Sequence, residues 1–110
     1  MQLTLLDSAT SKLYLDSVGD KVEVFYFSSF DSSSFESDTL TLSFKADSMF
    51  DELNHFVQAG ELYICDAGQS FSIMPCGERW RVNLDSQYQS HSILNVDIDM
   101  ELIVSFINSK

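Results

Sequence analysis

Alternation of apolar and polar positions dominates the first half of the chain and predicts strands. The runs "LTLL" and "KLYL" are short candidates separated by "DSATS", and "SVGD" reads as a turn into a strand over residues 21–27. Residues 39–44 alternate cleanly, with Leu40, Leu42 and Phe44 on one face and Thr39, Thr41 and Ser43 on the other. The period then changes. Met49, Leu53, Phe56 and Val57 form one helical stripe, which predicts a helix over 48–59. Asp47 or Ser48 can cap it, Asp51 and Glu52 favour the positive end of its dipole, and Gly60 suits its exit. Three strands follow in "ELYICD", "SFSIM" and "RWRVNLD", divided by the short glycine-containing turns "AGQ" and "PCGE". Trp80, Val82 and Leu84 share one face of the third; Arg79, Arg81 and Asn83 share the other. "HSILNVD" is a last strand, after which Asp97 or Asp99 caps a helix over 99–108 carrying Leu102, Ile103, Phe106 and Ile107.

These elements predict an α+β fold: a mostly antiparallel sheet of about six to eight strands with two amphipathic helices packed on it. The two halves echo each other. "LTLSFKADSMFDELNHF" and "SILNVDIDMELIVSFIN" each read as a strand, an acidic cap and an amphipathic helix. No linker interrupts the pattern, so residues 1–110 are expected to form a single domain.

One stretch resists simple assignment. "FYFSSFDSSSFESDTL" concentrates five aromatics, six serines and three acids without a cation. Read as a hairpin, it has two registers. In one, Val22, Val24 and Tyr26 lie opposite Phe44, Leu42 and Leu40, which leaves Phe25 and Phe27 among the hydroxyls. In the other, Phe25 and Phe27 join Leu40 and Leu42. Either way the first strand is apolar on both faces. Its second face needs cover from a helix of the same chain, another strand layer or a partner.

Charge changes the picture from fold to function. Seventeen acids against six bases give a net charge of −11, which repels nucleic acid and anionic membranes and attracts basic surfaces. The acids are scattered, and 45% apolar content with nine Phe argues for a folded chain. Two cysteines make no disulfide framework, and "MQLTLLDS" has neither the basic start nor the apolar length of a signal peptide, so a cytoplasmic protein with reduced thiols is expected.

Candidate chemistry is sparse. His55 and His91 show no metal-ligand spacing, no cofactor is indicated, and "DIDME" lacks the turn glycine and distal glutamate of a calcium loop. Cys76 in the turn "PCGE" could act as a nucleophile only beside a histidine. Arg79 and Arg81 could grip an anion, but pairing with acids such as Glu61 or Asp66 is the expectation. A non-enzymatic binding protein is the reading that remains.

The acidic-aromatic "FSSFDSSSFESD", the capped helix "DSMFDELNHF" and the hairpin "GQSFSIMPCGERWRV" give the chain an overall profile that resembles the immunity proteins made by bacteria against contact-dependent and other polymorphic toxins. The resemblance implies a basic protein partner, a cognate toxin that is typically a nuclease, whose active site is occluded. It implies no direct binding of nucleic acid. Independently of that family, the tip of the aromatic hairpin is the expected contact surface, with Phe30 and Phe35 as anchors and Asp31, Glu36 and Asp38 as the charged rim. The alternatives are a mobile-element inhibitor of the anti-CRISPR or anti-restriction kind that mimics nucleic acid, and a small enzyme built on Cys76.

Overall fold

A computed structural model describes residues 1–29 and 37–109, excepting the side chains at 37 and 38. Four strands come first: β1 (Gln2–Asp7), β2 (Ser11–Val18), β3 (Lys21–Ser29) and β4 (Ser37–Lys45). Helix α1 (Ala46–Ala59) follows, then β5 (Leu62–Asp66), β6 (Gln69–Cys76), β7 (Arg79–Asp85) and β8 (Ser90–Val96), and last helix α2 (Met100–Asn108). The α+β class is as the sequence predicts. The strands, however, form two antiparallel four-stranded sheets, ordered β1-β2-β3-β4 and β5-β6-β7-β8, where the sequence pattern suggests one. Each half is thus a meander followed by a helix.

The aromatic strand takes the first of its two registers. Val22, Val24 and Tyr26 pair with Phe44, Leu42 and Leu40, and all six are buried. Phe25 and Phe27 lie opposite Thr41 and Thr39 on the outer face and are half-buried. The ring next to Phe25 there comes from the neighbouring strand: Tyr14 lies with its centroid 5.0 Å away.

One core joins both sheets and both helices. Phe50 of α1 and Phe106 of α2 stack at 5.5 Å, and Phe56 meets Trp80 of β7 edge-on at 4.8 Å. The buried stripe of α1 is therefore Met49, Phe50, Leu53 and Phe56, while Val57 is 37% exposed. The stacking partner on α2 turns Phe50 inward, and hydrophobic spacing within α1 alone does not show that partner. In α2, Ile103 and Phe106 are buried and Leu102 is half-exposed at 50%. Away from the helices the sheets touch directly, with Tyr26 of β3 and His91 of β8 at 5.0 Å.

The helix ends obey different rules. Asp99 caps α2 by accepting from the Glu101 N–H at 2.9 Å. In α1 the N-cap position falls to Lys45, with no side-chain cap, so neither Asp47 nor Ser48 caps it. The Ala46 N–H instead donates to the Asp20 carbonyl at 2.9 Å, so the β2–β3 turn satisfies the first group of the helix. At the exit Gly60 adopts the left-handed conformation (φ 76°) and donates to the Phe56 carbonyl at 2.8 Å.

Candidate protein-binding surface

Of the contact residues expected from the sequence, Phe30, Asp31, Phe35 and Glu36 lie outside the described residues. Asp38 falls in β4 opposite Ser28, and its side chain is outside them too. The structure therefore neither brings these five together nor separates them.

The arginines separate. Arg79 pairs through Nε with the Asp97 carboxylate at 3.3 Å, where both groups are well exposed. Its partner is thus neither Glu61 nor Asp66, because the chain leaving β8 carries Asp97 back toward the start of β7. Arg81 sits opposite Met74 with no carboxylate within 4.0 Å among the described residues. Cys76 ends β6 in a half-buried position, and neither histidine forms a hydrogen bond to it among the described residues. His91 is held between Tyr26 and Gln89, whose Oε1 lies 3.3 Å from Nε2. His55 is exposed on α1. Among the described residues no group of three or more His, Cys, Asp or Glu is arranged to hold a metal ion. No helix there is long and apolar enough to cross a membrane.

The charge is distributed at the surface. No described acid is buried, and Ser72 is the one buried polar residue among those described. On the outer face of the second sheet Asp85 accepts from the hydroxyls of Ser70 (3.2 Å) and Ser90. Beside it Asn83 donates to Ser72 Oγ at 3.4 Å.

A groove that sequence reasoning missed runs where α1 passes the edge of β5. Its larger hollow, about 420 Å³, is bounded by Glu52 and His55 of α1, by Glu61, and by the outward side chains of Tyr63 and Met74. A second, smaller hollow of about 190 Å³ lies between Phe44 and Lys45 of β4, Ser48 of α1, and Cys65 and Asp66 of β5. Ser48, Glu52 and His55 stand at i, i+4 and i+7, so one polar stripe of the helix forms a wall. Tyr63 is 62% exposed and Met74 47%, an apolar pair with Glu52 and Glu61 on one side and Arg81 opposite Met74 on the other. The signal was present in "ELYICD": with Leu62 and Ile64 turned inward, alternation leaves Tyr63 outside.

The Tyr63 phenol is held above its ordinary range. A hydrogen bond to the Cys65 side chain is the main cause, followed by the charge interaction with that group, desolvation and the Asp85 carboxylate. The larger hollow thus sets a phenol, a thioether and two glutamates at one open site, with Lys45 at the smaller hollow and Arg81 beside Met74. Compared with protein-family models, with curated proteins and with solved structures, the chain matches none.

Proposed function

We propose that the chain is an acidic binding protein whose partner is a basic protein, and that it neutralises that partner in the manner of a toxin immunity protein. The observation that carries this reading is the net charge of −11 held at the surface, with no described acid buried. Such a field speeds encounter with a basic surface and weakens as salt screens it. A nuclease domain is the partner class that best fits, since its own substrate is an anion. In this reading the tip residues Phe30, Asp31, Phe35, Glu36 and Asp38 contribute anchors and charged rim.

The test is affinity capture from the source cell at low and at high salt, with the retained protein identified and its activity assayed. A basic toxin domain that is inhibited by the chain, and held less well at high salt, supports the proposal. Retention of no basic protein overturns it. A basic phage-defence effector in the toxin's place would shift the reading to a mobile-element inhibitor.

A further inference from the structure

The four edge strands are not protected alike. β1 carries an extra residue at Leu5, where its register against β2 shifts, and β8 shifts against β7 near Asn95, which has a positive φ of 58°. Such bulges twist an edge away from further pairing. At β4 the outward N–H of Ser43 is taken by Gln69 Oε1 at 2.9 Å. β5 has neither a bulge nor a side-chain tie, although helix α1 runs alongside it and leaves the groove between them. Its register against β6 is unbroken, and "LYICD" contains no lysine, no proline and no inward charge.

The β5–β6 turn shows which backbone groups are free. Ala67 and Gly68 both have positive φ (52° and 79°), as a two-residue type I′ hairpin requires. The pair that flanks such a turn, Asp66 and Gln69, exchanges hydrogen bonds, and so do Ile64 with Phe71 and Leu62 with Ile73. Tyr63 and Cys65 are the alternate positions, so their N–H and C=O groups point away from β6, toward the groove under α1. Neither residue has a backbone partner outside the sheet among the described residues.

We infer that the β5 edge is a strand-addition site for an extended basic segment of the partner protein. The inference rests on the proposed function and adds where and how the partner is held. Tyr63 and Cys65 supply two donors and two acceptors at the spacing of one added strand. Glu61, Tyr63 and Met74 line one side of the larger hollow with Glu52 across it, so they face cationic side chains of the incoming segment whose apolar stems lie along Tyr63 and Met74. A second copy of β5 is a poor occupant. It would bring together two molecules that each carry −11.

The test uses the whole chain and a defined probe, a blocked heptapeptide of alternating lysine and valine. Two control probes accompany it: the same peptide with alternate amides N-methylated, and its glutamate–valine counterpart. Amide shifts and hydrogen exchange are followed residue by residue, and sedimentation reports the oligomeric state. The lysine peptide is expected to slow exchange at Tyr63 and Cys65, while the N-methylated peptide binds at least about fivefold more weakly for each strand bond lost. The glutamate peptide is expected not to bind. Tyr63→Lys and, separately, Cys65→Pro should weaken the lysine peptide while the fluorescence of Trp80 confirms the fold.

Binding of the lysine peptide with no change at Tyr63 and Cys65, or equal binding after N-methylation, overturns the edge assignment and leaves the basic-partner reading standing. Protection of Tyr63 and Cys65 in a dimer without peptide also overturns it, in favour of self-pairing. Failure to bind the lysine peptide overturns the edge assignment too. The basic-partner reading then stands or falls on the capture experiment.

Discussion

Gln69 is the side chain that ties the two sheets together through the backbone, and replacing it with methionine tests that role. The Gln69 side chain accepts the Ser43 N–H at 2.9 Å, in a part-buried site, between residues 26 positions apart. Methionine preserves the length and most of the packing of glutamine but cannot accept this bond well. A backbone hydrogen bond of this kind contributes about 1 kcal/mol net, and stranding its donor in a part-buried place costs about 1–3 kcal/mol. Water can reach the β4 edge, so the lower end applies. We expect Gln69→Met to cost about 1 kcal/mol, a fivefold fall in the folding constant.

Urea unfolding followed by Trp80, the single tryptophan of the chain, measures this cost as a lower midpoint at an unchanged slope. Hydrogen exchange gives the sharper reading. Ser43 should exchange faster in the variant than in the parent by more than global destabilisation explains. Leu42, whose N–H points into the sheet toward Val24, should follow global stability alone. Unchanged protection at Ser43 would refute the reasoning, because the bond would then contribute nothing that methionine removes.

Phe56→Ala should be the most damaging of simple truncations in α1. It removes a fully buried ring and its edge-on contact with Trp80, a loss of about 3–5 kcal/mol that approaches the whole stability of a small domain. Thermal melts and a red shift of Trp80 emission check it; a change in melting temperature of under about 5 °C would contradict the packing described. For Tyr63, the fold favours the neutral phenol. Its raised pKa therefore contributes stability that is present below the unfolded value of 10.0 and lost as pH rises through the higher folded value. Ultraviolet difference titration should show one tyrosine moving back toward 10.0 in Cys65→Ala, and an unchanged titration would rule out Cys65 as the main cause.

Local signals carried the elements well and their assembly poorly. The inward residues Ile103 and Phe106 follow from spacing within a few neighbours, and the cap falls on Asp99, one of the two acids, Asp97 and Asp99, that the sequence offers. The inward face of β7 was equally readable, since Val82 and Leu84 are buried as alternation demands. The start of α1 was not. A β-strand runs straight into the helix, and its first N–H is satisfied by Asp20, 26 positions earlier in the chain, so the usual capping residues were misleading. The division into two sheets was hidden for a similar reason. Alternation reports which face is buried but not which strand lies beside which. The groove depends on both omissions, because it exists only where α1 passes an edge that a single continuous sheet would not have had.

Every strand pairing joins neighbours in the chain, and the first sheet is complete before β5 begins. During synthesis the first meander can therefore form while the second is still within the ribosome. Until that second half emerges, the apolar row of Val22, Val24, Leu42 and Phe44 must wait with only α1 to shelter it. The nascent chain is then a half-built sandwich with an open side, and like net charge on neighbouring copies opposes their association.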